Sequence, residues 1–264
     1  MELNLSWNKN FNYFHVFLSG NITYARSKIT YQEEVQEYPW MYQTGTPYGA
    51  YPGYVFDRYF TENDDFSSLP SQTAIGGNAL RPGDLKYKDL NSDGVIDQKD
   101  RTVIGNPGLP EIHYGTIAAF SYKSFDLNMV FEGTGRSSYM NTDVYYRAFN
   151  NNGKGNVMTH HLGRWHPNSG QAASYPRLTL TNANNYTASS YWLIDNSYFR
   201  LGCAELGYSL PQKLSKLISL QSLRFFVSVQ NLFVVDKVNF KDPLTSNMIS
   251  TLDMVVSVGL NVKF

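Results

Sequence analysis

The chain is poor in most of what usually announces a function. Its single cysteine, Cys203, excludes an internal disulfide framework, and a lone cysteine in a strand reads as a small packing residue. Charge is scarce, with Asp, Glu, Lys and Arg at 17% of residues against a usual share of about 25%. Acidic and basic residues balance at 22 each, so there is no basic field to draw nucleic acid and no acidic tail. No stretch approaches the ~18 consecutive apolar residues of a membrane-spanning helix. Met1–Trp7 has neither the charged n-region nor the apolar h-region of a signal peptide. The chain is therefore expected either to stay in the cytoplasm or to be the tail of a longer protein.

Catalytic patterns are missing as well. There is no G-x-S-x-G, H-E-x-x-H or C-x-x-C, and Gly153-Lys154-Gly155 lacks the upstream Gly and the Ser/Thr of a phosphate loop. Asp195 and Glu205 fall on a predicted strand, where nothing pairs them as a glycosidase acid and nucleophile. His160, His161 and His166 lie close together without an acid or cysteine at ligand spacing, which reads as exposed loop histidines and not as zinc ligands. Nothing in the sequence argues for an enzyme.

What is present is aromatic and alternating. Aromatics make up 15% of residues, with 20 Tyr. From Met254 to Phe264 the residues Met254, Val256, Val258, Leu260, Val262 and Phe264 fall on one face, and Val255, Ser257, Gly259, Asn261 and Lys263 on the other. Period-two alternation marks a strand with one apolar and one polar side. In a transmembrane barrel the apolar side meets lipid and the polar side the lumen. Ser257–Phe264 also resembles the terminal signal by which such barrels are recognised for insertion.

Further strands are predicted at Glu2–Trp7, Phe11–Ile29, His113–Tyr122, Phe125–Gly133, Trp192–Leu210 and Ser222–Phe233. A turn is expected at Asn8–Asn10 and a hairpin at Lys123–Ser124. The apolar face of the strand around Phe199–Tyr208 jumps phase, and a bulge near Ala204–Glu205 would absorb the slip. Connections alternate between short and long, the asymmetry of a barrel with short turns at one end and long loops at the other. Trp7, Phe11, Tyr13, Tyr122, Phe125, Tyr208 and Phe264 crowd the short-turn end as an interfacial girdle. The fold expected is all-β: an antiparallel transmembrane barrel portion of about seven strands. A soluble β-rich binding module carrying a calcium loop stays open as the alternative, with a secreted glycan-active enzyme fragment more distant.

The first long connection holds Asp89-Leu90-Asn91-Ser92-Asp93-Gly94-Val95-Ile96-Asp97-Gln98-Lys99-Asp100, which fits the EF-hand loop spacing. The expected oxygen donors are Asp89, Asn91, Asp93, the Val95 carbonyl, Asp97 and Asp100. Gly94 takes the sharp turn and Ile96 anchors the loop in apolar surroundings. Asp100 stands where Glu is usual, which favours a weaker Ca²⁺ site or Mg²⁺. No long amphipathic helices flank the loop, so a structural metal is expected and not a sensor; an Asx-rich turn held by hydrogen bonds alone is the alternative.

Several blocks together resemble one family. Gly83-Asp84, Tyr87, the Asp89–Asp100 loop and Ile104-Gly105-Asn106-Pro107 are similar to a block of the SusC/RagA-type TonB-dependent outer-membrane transporters. So are Arg164-Trp165-His166-Pro167-Asn168, Pro176-Arg177-Leu178, Tyr198-Phe199-Arg200-Leu201, Leu206–Pro211 and Gln230-Asn231-Leu232-Phe233. Cys203-Ala204-Glu205 and Gly108-Leu109 depart from the family pattern. The resemblance runs along the whole of 1–264 and implies the C-terminal part of a plugged barrel of roughly 22 strands, with plug and N-terminal strands absent. It further implies an outer-membrane location in a Gram-negative bacterium, a SusD-like lipoprotein partner, TonB acting through the missing region, and import of an oligosaccharide or peptide. Tyr38, Trp40, Tyr42, Tyr48, Tyr51 and Tyr54, with Tyr139, Tyr145 and Tyr146, open the two long loops, where they could pack the loops, dock the lipoprotein or stack on sugar.

Overall fold

The computed structural model describes residues 1–141, 146–149, 153–238, 242–244 and 252–264. The chain divides into two units, one of Met1–Arg26, Leu109–Ser137 and Asp195–Phe264, the other of Ser27–Gly108 and Ser138–Ile194.

The first unit is a single antiparallel sheet of seven strands in sequential order: β1 (Glu2–Phe11), β2 (Phe14–Tyr24), β3 (Ile112–Tyr122), β4 (Phe125–Gly135), β5 (Tyr198–Ser209), β6 (Ser222–Asp236) and β7 (Val255–Lys263). Every neighbouring pair is an up-and-down neighbour in sequence, and β1 and β7 form the two edges. Asn12–Tyr13, Lys123–Ser124 and Leu210–Gln221 connect strands at one end, the last through a short helix α1 (Gln212–Leu217). The long connections all leave from the opposite end, as the alternation of gap lengths requires.

Register carries the alternation from strand to strand. Leu223, Phe225, Val227 and Val229 of β6 stand opposite Val262, Leu260, Val258 and Val256 of β7. On β5, Tyr208, Leu206 and Ala204 continue the same row, and Phe125, Leu127 and Met129 continue it on β4. Opposed residues in a ladder project to one side, so the apolar positions merge into one continuous face.

Three sequence expectations need correction. The first turn lies at Asn12–Tyr13, not Asn8–Asn10, and β1 runs on to Phe11. Asn8 and Asn10 look like turn residues, but they follow Asn4 and Ser6 on the polar face; Asn12, at φ 53°, takes the left-handed position. Second, the strand expected over Phe11–Ile29 ends at Tyr24, and the one expected over Trp192–Leu210 is two segments, Leu193–Asp195 and Tyr198–Ser209. Third, the bulge lies between Leu201 and Cys203, not at Ala204–Glu205. Gly202 is the residue skipped, and lacking a side chain it absorbs the slip most easily. Cys203 thereby moves to the polar face, its Sγ 3.8 Å from Ser228 Oγ.

The second unit is built from the two long connections and has a core of its own. Short ladders pair Tyr51–Gly53 with Thr102–Ile104 and Phe56–Tyr59 with Leu85–Tyr87. Tyr54, Tyr59, Leu85, Tyr87, Ile96, Tyr175 and Trp192 form the buried cluster, and Phe56, Trp165, Tyr186 and Tyr191 pack on it. Long connections are seldom structureless; these are held by aromatic burial between segments about a hundred residues apart, where aromatics dominate core energetics.

Candidate functional site

The sheet offers two chemically distinct surfaces. Much of its apolar face is open: Leu5 is 66% exposed, Phe125 52%, Leu206 53% and Val258 79%, while Val16, Ala118 and Leu201 on the same face are buried. A contiguous apolar face of this extent has no place in water and marks an interaction surface. At the short-turn end the row becomes aromatic. Phe11 faces Phe14, Phe14 faces Tyr122, Tyr122 faces Phe125, and Phe125 faces Tyr208 with ring centres 4.8 Å apart. Lys123 Nζ lies 5.1 Å from the Tyr122 ring centre and 5.9 Å from that of Tyr13. Of the girdle expected from Trp7, Phe11, Tyr13, Tyr122, Phe125, Tyr208 and Phe264, the residues Phe11, Tyr13, Tyr122, Phe125 and Tyr208 form a spatial belt, to which Phe14 and Phe225 add; the Trp7 ring lies 6.2 Å from that of Phe11, and Phe264, just past β7, is 90% exposed.

The other face is polar and paired. Arg224 of β6 reaches across β5, donating to Glu205 Oε1 at 2.7 Å and forming an ion pair with Asp126 of β4. Gly207 makes this possible, because a β-carbon there would collide with the guanidinium. Nearer the long-loop end, Arg200 pairs with Glu132 and donates to Asn231 Oδ1 at 3.2 Å. His15 Nε2 lies 2.7 Å from Asn8 Oδ1. Ionic groups spaced along one side of a sheet, with aliphatics on the other, give a strand a lipid side and a water side.

In the second unit the acidic loop forms as the spacing requires. Asp89 accepts the Ser92 N–H at 2.7 Å and the Gly94 N–H at 2.9 Å, while Asn91 and Asp93 accept those of Asp93 and Val95. Gly94 sits at φ 82°, the left-handed turn that any β-carbon would strain. Ile96 is fully buried in the core, as expected. Asp97 accepts the Lys99 N–H at 2.7 Å; Asp100, fully buried, accepts those of Leu90 at 2.7 Å and Asp97 at 2.9 Å. The all-oxygen donor set suits a hard cation. Among the described residues, however, no three His, Cys, Asp or Glu side chains converge on one metal position, and the carboxylates turn back onto the loop's own amides.

A second polar group was not legible in the sequence. Asp84 is fully buried, its carboxylate held by Arg177 Nε at 2.7 Å and Nη2 at 2.9 Å, by Asn185 Nδ2 at 2.8 Å and by the Arg81 N–H at 2.8 Å. Gln72 and Asn184 extend the network to the Leu85 carbonyl and Tyr87. Gly83, at φ 88°, lies against the Trp165 ring, where a β-carbon would clash. Gly83-Asp84, Trp165 and Arg177, far apart in sequence, are thus one structural joint.

The histidines divide. His166 is exposed, as expected, but His161 is buried, which corrects the exposed-loop reading. Its Nδ1 accepts the Met158 N–H at 2.8 Å and its Nε2 lies 3.3 Å from the Tyr146 carbonyl, so the neutral ring satisfies both partners. Burial holds its pKa below the usual value. The ring of His160 stacks on Tyr146 at 4.5 Å. Of the loop aromatics, Tyr54 is core, Tyr38 stacks on Trp40 at 4.6 Å, and Trp40 donates to the Lys99 carbonyl at 2.8 Å. Tyr42 and Tyr48 are exposed; Tyr145 lies outside the described residues. Tyr31, Tyr48 and Pro52 line a cleft of about 470 Å³, and Met41, Tyr54, Lys99 and Arg101 another of about 700 Å³.

Against known proteins, no family model matches the chain. It is 28% identical over 192 residues to TonB-dependent receptor P26 of Formosa agariphila, covering 71% of this chain and 19% of that receptor. TonB-dependent receptor P39 of the same organism is 27% identical over 224 residues, covering 79% of this chain and 21% of the receptor. Among solved structures, the RagAB peptide transporter superposes over 100% of this chain and 29% of its own with a TM-score of 0.71 at 18% identity. The open-open state of the RagAB peptide importer gives 0.70 at 19% identity, over 100% of this chain and 28% of its own. The chain spans about a fifth of the length of these curated relatives. At such identities the superposition shows the fold alone: a portion of a large β-barrel with its loops.

Proposed function

Taking the chain as a homologue of TonB-dependent receptors, set in the outer membrane of a Gram-negative bacterium, we propose that it forms part of the wall and the long loops of a nutrient importer and is not an enzyme. The observation that carries this reading is the two-faced sheet, apolar and open on one side, ion-paired and polar on the other. Such a sheet has lipid on one side and an aqueous or plugged lumen on the other. A water-soluble β-rich module would have to cover Leu5, Phe125, Leu206 and Val258, and all four are exposed.

Under this proposal the substrate is an oligosaccharide or a peptide, and a SusD-like lipoprotein partners the long loops. TonB acts through parts of the protein outside this chain. The RagAB neighbour is a peptide transporter, which supports peptide; the exposed Tyr48 and the tyrosine-lined cleft support sugar stacking equally well. Affinity purification of the whole receptor, with growth of a deletion strain on separate glycans and peptides, tests the reading. Recovery of a lipoprotein and loss of growth on one nutrient class supports it; no lipoprotein and no growth defect would overturn it.

The Asp89–Asp100 loop carries a subsidiary proposal, a structural Ca²⁺ or Mg²⁺ held by Asp89, Asn91, Asp93, the Val95 carbonyl, Asp97 and Asp100. Its support is the donor chemistry and the Gly94 turn, not convergence of the side chains. Calorimetric titration of the intact receptor with each cation tests it, and absence of saturable heat that Asp93→Ala alters would sink it.

A further inference from the structure

Both ends of the sheet carry ion pairs, but the short-turn end carries in addition a group of lysines. At the long-loop end, Glu111 lies between Arg26 and Arg136, at 3.2 Å and 2.6 Å, and Lys237 pairs with Asp195 at 3.0 Å. At the short-turn end stand Lys9, Lys123, Lys213, Lys216 and Lys263, all exposed and, among the described residues, without an acidic partner. The acids nearest that end, Asp126 and Glu205, are both taken by Arg224. Asp126 and Glu205 together exceed Arg224 by one charge, so the five lysines leave that rim with a net positive charge.

The connection between β5 and β6 adds an independent feature. In α1, Ser215 is fully buried and turns toward the protein, its Oγ 3.4 Å from the Leu210 carbonyl. Leu214, Leu217 and Ile218, at i, i+3 and i+4, share a stripe, and they are 49%, 79% and 53% exposed. Lys213 and Lys216 flank that stripe. The segment starts just after Tyr208 and ends just before Leu223 and Phe225, all three on the apolar face of the sheet. Its apolar stripe is thus continuous in sequence with the lipid-facing row, and its charge is of one sign.

We propose that α1 and the neighbouring lysines form a docking site for anionic phospholipid headgroups: Leu214, Leu217 and Ile218 enter the boundary between headgroups and acyl chains, and the lysines engage the phosphates. A short amphipathic segment with lysine beside leucine has the composition for this position. Attraction of each lysine to an anionic leaflet corresponds to roughly fivefold in affinity. The rim would hold the barrel at a fixed depth and select phosphatidylglycerol-type lipid around it. This rests on the barrel reading, and the test separates the two.

The whole receptor, in a background free of other cysteines, is labelled with a nitroxide at Leu217→Cys or at Val258→Cys. Each is reconstituted in phosphatidylcholine alone or mixed with phosphatidylglycerol. The label at 217 is expected to meet oxygen more often than an aqueous nickel complex. Spin-labelled phosphatidylglycerol is expected to bind better than phosphatidylcholine, with the preference falling roughly fivefold per lysine removed in Lys213→Gln and Lys216→Gln. A label at 258 in lipid with one at 217 in water overturns this inference alone, as does an unchanged lipid preference in the lysine variants. A label at 217 shielded from both reagents points to a protein occupant and overturns the lipid assignment. Water access at 258 overturns the barrel reading and this inference with it.

Discussion

The two units use the same residue types in opposite ways. In the inserted unit, Tyr59, Leu85, Tyr87 and Ile96 are at most 2% exposed. In the sheet, Leu5, Phe125, Leu206 and Val258 are all open. The inserted unit follows the rule of a water-soluble domain, with an aromatic core and with Asp84, Asp100 and His161 hydrogen-bonded where they are buried. The sheet inverts the rule, with ion pairs on one side and bare aliphatics on the other. Hydrophobicity of composition therefore says little here; the surrounding solvent decides which side of an element is the inside.

The largest effect that could break this comparison is expected at Asp84. Removing one partner of a buried ion pair leaves the other charge unpaired, so Asp84→Ala should destabilise the inserted unit by about 3–5 kcal/mol. Arg177 and Asn185 would lose their shared acceptor. Hydrogen exchange of the amides of 81–87 and 184–186 in the intact receptor measures it, and protection equal to the parent protein would show that the network carries no stability.

A direct pairing of the two regions comes next. Leu85→Ala should cost about 2–5 kcal/mol, because it empties a fully buried site. Leu260→Ala, on the open face of β7, leaves no cavity in a protein core but still gives up the transfer of the side chain from water to lipid, so it should cost about 1–2 kcal/mol, less than Leu85→Ala. Equal costs in denaturant unfolding would mean that the two environments do not differ as described.

The smallest effect is one of pH. Burial depresses the pKa of His161, so its neutral form is the one the folded unit accommodates. The stabilisation is complete above the unfolded-state pKa of about 6.5 and is lost as pH falls through the lower folded-state value. Burial, with the neighbouring His160 ring 4.0 Å away, makes a second charge there less welcome. Proteolytic nicking near 158–163 in the intact receptor should therefore rise on acidification from about pH 7.5 to about pH 5. A flat profile would contradict the burial of the ring.

What the sequence disclosed, and what it hid, follows the range of the interactions. Strand positions and faces were legible because alternation is local: the row Val256, Val258, Leu260 and Val262 can be read without knowing its partner. The Asp89–Asp100 loop was legible for the same reason, its hydrogen bonds spanning few residues. The first turn was misjudged because Asn8 and Asn10 carry turn chemistry but serve the polar face of β1. The bulge was displaced because Cys203 is small enough to fit either face, so only the ladder with β4 and β6 fixes it at Gly202. The Asp84–Arg177–Asn185 joint and the burial of His161 were hidden. The joint depends on segments about a hundred residues apart that no period connects, although Gly83-Asp84 and Arg177 had been noticed as parts of a family pattern, and His161 is enclosed by Tyr146, Met158 and Tyr175 in irregular chain that has no period to read.

The central claim is that one side of the sheet meets lipid and the other does not, and neighbouring residues of β7 test it most directly. Val258 faces Val227 in the apolar row, and Ser257 faces Ser228 on the polar side. Folding of the intact receptor into vesicles is measured for Val258→Arg and for Ser257→Arg. Arginine at 258 should cost about 2–4 kcal/mol if that position lies near the bilayer midplane, and arginine at 257 far less. Equal costs, or a larger cost at 257, would contradict the assignment of the two faces.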